Sequence, residues 1–175
     1  MPRTLTNTTV LSNFAAVGRL DLLRDIFGRL YVTNEVYEEL LDGLEEGYGF
    51  YAGIDAQVYP FHESGWMVLV AMAEDEEVQI FRSLPRQLHH GEASCLAIAQ
   101  YRGWAFLSDD KFAREIARVQ GIAVSGTLGV LVRAVKSGLV SAAQGDDLLQ
   151  QMIRRGYYSP YNSLSPLLEN DPAPR

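Results

Sequence analysis

The chain has 175 residues, of which 47% are hydrophobic and 21% charged, the balance of one globular domain with a sizeable core rather than of a disordered segment. Its net charge of −7 excludes broad, non-specific nucleic-acid binding, which needs a basic surface, while leaving room for a local basic groove. The single cysteine, Cys95, excludes an internal disulfide, and its Ala- and Leu-rich surroundings make it a small buried hydrophobe and a poor nucleophile. No basic-then-apolar leader opens the chain, and no apolar run reaches the roughly 18 residues that span a membrane, so a cytoplasmic protein is expected.

Leu5 to Leu11 reads as a strand running into a polar turn. Phe14 to Phe27 reads as a helix broken near Gly18, with Leu20, Leu23, Ile26 and Phe27 on one face. Leu30 to Val32 is a short strand, after which Thr33 or Asn34 can cap a helix over Val36 to Leu41. From Gly43 to Gly53, glycines interleave with Tyr48, Phe50 and Tyr51, the pattern of a loop or a loosely held helix end. A strand over Trp66 to Met72, a helix over Asp75 to Leu84 and an Ala-rich helix from Gly91 to about Arg102 follow. Trp104 to Leu107 is an apolar strand that stops at Ser108-Asp109-Asp110, and a helix over Lys111 to Gln120 begins at once. A strand at Ile122 to Val124, a helix over Leu128 to Lys136 and a last helix over Ala142 to Arg154 complete the pattern. The tail from Tyr157, with its prolines, lacks a helical period. Strands alternating with helices imply an α/β fold with a mostly parallel sheet covered on both faces. In such sheets ligands sit outside the carboxyl ends of the strands, which places Thr6 to Thr9 and Ser108 to Asp110 on one rim.

The acids at that rim carry two readings each. Asp109 and Asp110 can cap the following helix or hold a hard cation. Glu39 lies on the edge of the face that Val36 and Leu40 turn inward, and is either a site carboxylate or a surface acid; Glu38 points into water. Glu92 opens an otherwise apolar helix, where the helix dipole favours an anion and where a metal ligand is equally well placed. His89 and His90 are adjacent and have no partner at i+4, so a zinc site is not expected. A phosphate loop, a dinucleotide fingerprint and a Gly-x-Ser-x-Gly elbow are all absent from the sequence.

Taken in order, the segments Thr8-Thr9-Val10-Leu11-Ser12-Asn13-Phe14 with Gly18 to Leu23, Val36-Tyr37-Glu38-Glu39-Leu40, Gly91-Glu92-Ala93, Leu107-Ser108-Asp109-Asp110 and Gly126 to Leu131 resemble the PIN-domain family, closest to its toxin-like ribonucleases of toxin–antitoxin modules. The resemblance implies a three-layer α/β/α sandwich over residues 1–158, with an irregular tail over 159–175. It also implies a rim of acids that binds Mg²⁺ or Mn²⁺ and cleaves RNA, a small antitoxin partner and a homodimer. By position Glu39, Glu92 and Asp110 match the family's acids, with Asp109 a further ligand or a supporting group. One position departs: where the family usually has Asp at the end of the first strand, this chain has Asn7, a neutral amide that can still offer a metal an oxygen. Losing one carboxylate about 4 Å from a cation removes at most ~4 kcal/mol of gross attraction at an effective dielectric of 20. The implied function is therefore a metal-dependent endoribonuclease weakened at Asn7, or an inactive PIN-like module that binds RNA or a protein.

Thr8, Lys111 and Arg114 are the candidate substrate contacts. Lys111, Arg114 and Arg118 lie opposite Phe112, Ala113, Ile116 and Ala117 on their helix, as a solvated charged face or as phosphate contacts, to which Arg3 and Arg102 can add. The aromatics of 43–53 suit a flap that stacks on bases or, by a slight preference, a protein interface.

Overall fold

The computed structural model describes residues 3–169. Strand β1 (Thr4–Thr6) leads into helices α1 (Thr8–Ala16) and α2 (Leu20–Phe27), then β2 (Leu30–Thr33) and α3 (Asn34–Glu45). Two 3-10 turns, Gly49–Tyr51 and Ile54–Gln57, precede β3 (Val58–Tyr59) and β4 (Met67–Val70). Helices α4 (Asp75–Ser83) and α5 (His90–Arg102) lead to β5 (Ala105–Leu107), α6 (Lys111–Val119) and β6 (Val124–Ser125), and α7 (Thr127–Lys136), α8 (Ala142–Arg154) and α9 (Ser165–Glu169) close the described chain.

The strands form one six-stranded parallel sheet in the order β3-β4-β2-β1-β5-β6. Leu5 at its centre lies opposite Tyr31 on one side and Phe106 on the other. The chain winds outward from β1 through β2 to β4, then returns to β1's other side with β5 and β6. Right-handed crossovers therefore put α1 and α2 on one face and α4, α5 and α6 on the other, the three-layer sandwich expected. Helix α5 crosses β1, β2 and β5, and α7 joins α1 and α2 on the opposite face, with α8 beyond it. Every residue from Gly91 to Ala99 is buried, which small side chains permit by letting the helix approach the sheet closely.

Several boundaries differ from the sequence expectation. The first strand ends at Thr6 rather than at Leu11, because the Asn7 side chain accepts from the Val10 N–H at 3.5 Å and starts a helix there. Val10, Leu11, Phe14 and Ala15 then become its buried face, and the β-branched run Thr8-Thr9-Val10 is overridden. The break expected near Gly18 is present, with that residue at φ +68. The last strand covers Val124–Ser125, one step beyond the expected Ile122 to Val124, and β3 was not foreseen. The tail carries a short helix at Ser165–Glu169, and the buried Leu164 before it is fixed by its N–H donating to Asp146 Oδ1 at 2.6 Å. The remainder of the tail, residues 170–175, lies outside the described residues.

Candidate active site

β1 and β5 are neighbours at the point where the strand order reverses, the place where open α/β sheets form a ligand crevice. Asn7 leaves β1 there, its N–H pairing with the Leu107 carbonyl at 3.0 Å, and Ser108 leaves β5 beside it. Asn7 is 2% exposed and its amide orientation is fixed from both sides. Its Oδ1 accepts from Val10 N–H, which can only donate, and from Thr9 Oγ1 at 2.8 Å. Its Nδ2 then donates to Ser108 Oγ at 2.9 Å and to Glu92 Oε1 at 3.4 Å. So placed, Asn7 offers the rim a donor and spends its lone pairs on capping α1, contrary to the expectation of an amide oxygen facing a metal.

Glu92 lies in the first turn of α5, where one of its oxygens serves the cap and the other faces the rim. Its Oε2 accepts from the His89 N–H at 3.3 Å in a capping box, while Oε1 meets Asn7. Burial and the charge of Asp110 push its carboxyl above the ordinary value, against smaller opposing effects of His89 and Asn7. Glu39 comes in from α3: Thr8 Oγ1 donates to its Oε2 and Gly91 N–H to its Oε1 at 3.1 Å. That approach requires glycine, since a Cβ at Gly91 would stand 2.7 Å from Glu39 Oε1. Glu38 is exposed, as expected.

The two aspartates after β5 divide their roles. Asp110 caps α6, its Oδ1 accepting from Ala113 N–H at 2.7 Å, and its charge is the one felt by Glu92. Asp109 turns the other way. Its Oδ1 accepts from Thr127 N–H at 2.8 Å, and its Oδ2 accepts from Thr127 Oγ1 at 2.5 Å and Asn13 Nδ2 at 3.0 Å. The Tyr157 hydroxyl lies near the same carboxylate and, through burial and that charge, is pushed well above its usual range. Asn13, Ser108, Thr127 and Tyr157 thus organise the rim although sequence reasoning did not select them. The signal for Thr127 was present in Gly126-Thr127, because a Cβ at Gly126 would stand 2.5 Å from Asp109 Oδ1.

Of the candidate substrate contacts, Thr8 is committed to Glu39, Lys111 is exposed, and Arg114 leans over the rim with Nη1 3.5 Å from the Ser108 carbonyl. Phe112 is 42% exposed rather than turned inward. Arg3 and Arg102 cannot serve this site, because both stack on Trp104 at the amino ends of the strands, 5.3 and 5.2 Å from its ring centre. In the 43–53 segment Tyr51 is buried and its hydroxyl bonds to Ser12 on α1, leaving Tyr48 and Phe50 facing out.

Oxygen donors of this kind suit Mg²⁺ or Mn²⁺. Among the described residues, no three His, Cys, Asp or Glu side chains stand close enough together to hold an ion between them. Mg²⁺ needs fewer: it is commonly held by one or two carboxylates and completes its shell with water and substrate phosphate. The like-charged pair Glu92 and Asp110 fits that requirement, with Glu39 the next carboxylate along the rim; Asn7 as oriented does not.

A parallel sheet between two helical layers, with acids gathered at its carboxyl edge, is the plan of a nuclease-type α/β fold. The chain belongs to the PIN-domain family: the family model described as DUF3368: PIN domain matches residues 3–170. No curated protein matches the chain. PIN domains in general use divalent metals and act on RNA. No helix among the described residues is long and apolar enough to cross a membrane.

Proposed function

We propose that this chain is a PIN-domain endoribonuclease dependent on Mg²⁺ or Mn²⁺, with a metal site weakened at Asn7. The observation that carries the reading is Glu92 bonded to Asn7 and facing the charge of Asp110, with Glu39 held on the neighbouring Gly91, where β1 and β5 diverge. Glu92 and Asp110 would hold the ion, Glu39 would orient water at the rim, and Asp109 would keep the β5 end in place through Thr127 and Asn13. A bound divalent ion supplies an activated water and stabilises charge on the phosphate. In this role the chain is a cytoplasmic, toxin-like component that works as a homodimer beside a small antitoxin. That setting extends from the family resemblance, and a short antitoxin-like reading frame beside this one would support it.

A second reading is favoured by one specific contact. The Asn7 amide donates to Glu92, a bond that an Asp carboxylate has no proton to make, so the rim is partly satisfied without an ion. On this reading the domain binds RNA or a protein partner and does not cut. The test is cleavage of single-stranded RNA with Mg²⁺ or Mn²⁺ by the chain, by Asn7→Asp and by Asp110→Ala. The nuclease reading expects slow cleavage, faster cleavage and none, in that order. Cleavage by Asn7→Asp alone supports the second reading for the natural chain; failure of both the chain and Asn7→Asp to bind either ion or cut RNA overturns the first.

A further inference from the structure

Beside the rim, a groove of about 820 Å³ runs between α6 and the segment that follows α8. Lys111, Arg114 and Arg118 line one wall. Their i, i+3, i+7 spacing sets them in one stripe along the helix, roughly 10 Å long at 1.5 Å rise per residue. The facing wall carries Tyr157, Tyr158 and Tyr161. Tyr158 is 90% exposed and Tyr161 38%, an unusual display for large aromatic rings.

This wall is built into the domain. Tyr157 N–H donates to the Met152 carbonyl at 3.0 Å, Gln150 Nε2 to the Asn162 carbonyl at 2.6 Å, and Ser159 Oγ to the Tyr161 carbonyl at 2.7 Å. The chain as a whole is acidic at −7, yet the charged side chains of this groove are three cations and Asp109. Both oxygens of Asp109 already accept hydrogen bonds from Thr127 and Asn13. Arg118 also pairs with Glu115 at 3.6 Å, but both side chains are more than half exposed and such a pair yields readily.

We infer that this groove is the track for single-stranded RNA leading to the rim: phosphates lie along Lys111, Arg114 and Arg118, and unstacked bases lie on Tyr158 and Tyr161. The track rests on the nuclease reading for its destination, not for its chemistry. A row of cations facing exposed aromatic rings matches a strand whose bases are free, because every base offers a π-face and a duplex hides it. Asp109 lines the groove and the next residue, Asp110, stands at the rim, so a strand in the track passes the acids.

The experiment is fluorescence anisotropy of a 5′-labelled oligouridine RNA with the full chain in EDTA, where no cleavage occurs. Tyr158→Ala weakens binding about tenfold, and Arg118→Ala lowers the slope of log affinity against log salt by about 0.7. Both residues are exposed, so melting temperatures stay unchanged, and Arg24→Ala on α2 binds as the natural chain does. Absence of RNA binding, equal binding of a duplex of the same length, or binding indifferent to Tyr158→Ala and Arg118→Ala overturns the track. Self-association of the chain that Tyr158→Ala abolishes, without RNA binding, also overturns it and gives the groove to a protein. Binding that follows these residues in a chain that never cuts RNA keeps the track and sinks only the nuclease reading.

Discussion

Two glutamates shielded from water meet the opposite ends of helix α5 in opposite company: Glu77, from α4, faces its last residue, and Glu92 lies in its first turn. At the carboxyl end Arg102 grips Glu77 with two bonds, Nε to Oε1 at 2.5 Å and Nη2 to Oε2 at 3.0 Å, while Ala73 N–H adds a third at 2.7 Å. Burial would push this carboxyl up, but the guanidinium and the backbone donors together hold it below its ordinary value. At the amino end Glu92 is buried beside Asp110 and is pushed up. The first arrangement satisfies itself within the protein. The second keeps two like charges side by side at the crevice where β1 and β5 diverge. Burial of a carboxylate alone therefore distinguishes nothing; what faces it does.

The contrast can be broken most sharply at Arg102. Arg102→Ala leaves Glu77 buried without its guanidinium and is expected to lower stability by about 3 kcal/mol in urea unfolding at neutral pH. The sign with pH follows from Glu77's lowered value. Its contribution is present above the ordinary 4.5 and is lost as pH falls through the folded value, so the variant and the natural chain converge in acid. A penalty that stays constant with pH would show that Arg102 acts through packing on Trp104 instead.

At the other end of α5, Asn7→Asp adds a carboxylate where an amide now bonds Glu92. Affinity for Mn²⁺ in calorimetry should rise tenfold or more, about 1.4 kcal/mol, while the metal-free domain melts lower. Unchanged affinity would mean that the rim is not the ion's site. The smallest effect belongs to Glu92→Gln, which removes one of two like charges. In EDTA it should stabilise the chain by about 1 kcal/mol or less near pH 7. Because Glu92's folded value is raised, its own contribution is full below 4.5 and is lost as pH climbs through the folded value. The gain from the substitution should therefore grow with rising pH, the reverse of the Arg102→Ala profile. A loss of stability at neutral pH would mean that the charge at the α5 amino end is worth more as a cap than it costs beside Asp110.

Much of the layer order was legible because it is written in local patterns: apolar runs ending in polar turns, and helical stripes such as Leu20, Leu23 and Ile26. The start of α1 was not, since Thr8-Thr9-Val10 favours a strand by itself and becomes helical through the Asn7 cap. The rim acids stood out by position at strand and helix ends. Their division of labour did not, because Asp109 is captured by Thr127 and Asn13, residues distant in sequence. Arg102 was misplaced for the same reason: its partner Glu77 sits on the preceding helix, 25 residues away. The tail's packing depends on Asp146 receiving Leu164, again a contact that no local pattern records.

The placement of the Glu77–Arg102 pair carries a consequence for how such a chain can change over generations. The anchor of α5 ties its last residue to α4, beside Trp104 and the Ala71 carbonyl, while Glu92 and its bond to Asn7 lie at the helix's first turn. The pair holds the last turn of α5 whatever stands at Asn7, whereas Asn7, Glu92 and Asp110 each also cap a helix, so changes there act on local stability as well as on charge. Exchange of Asn7 for a carboxylate changes the charge of the rim while Arg102 and Glu77 stay paired.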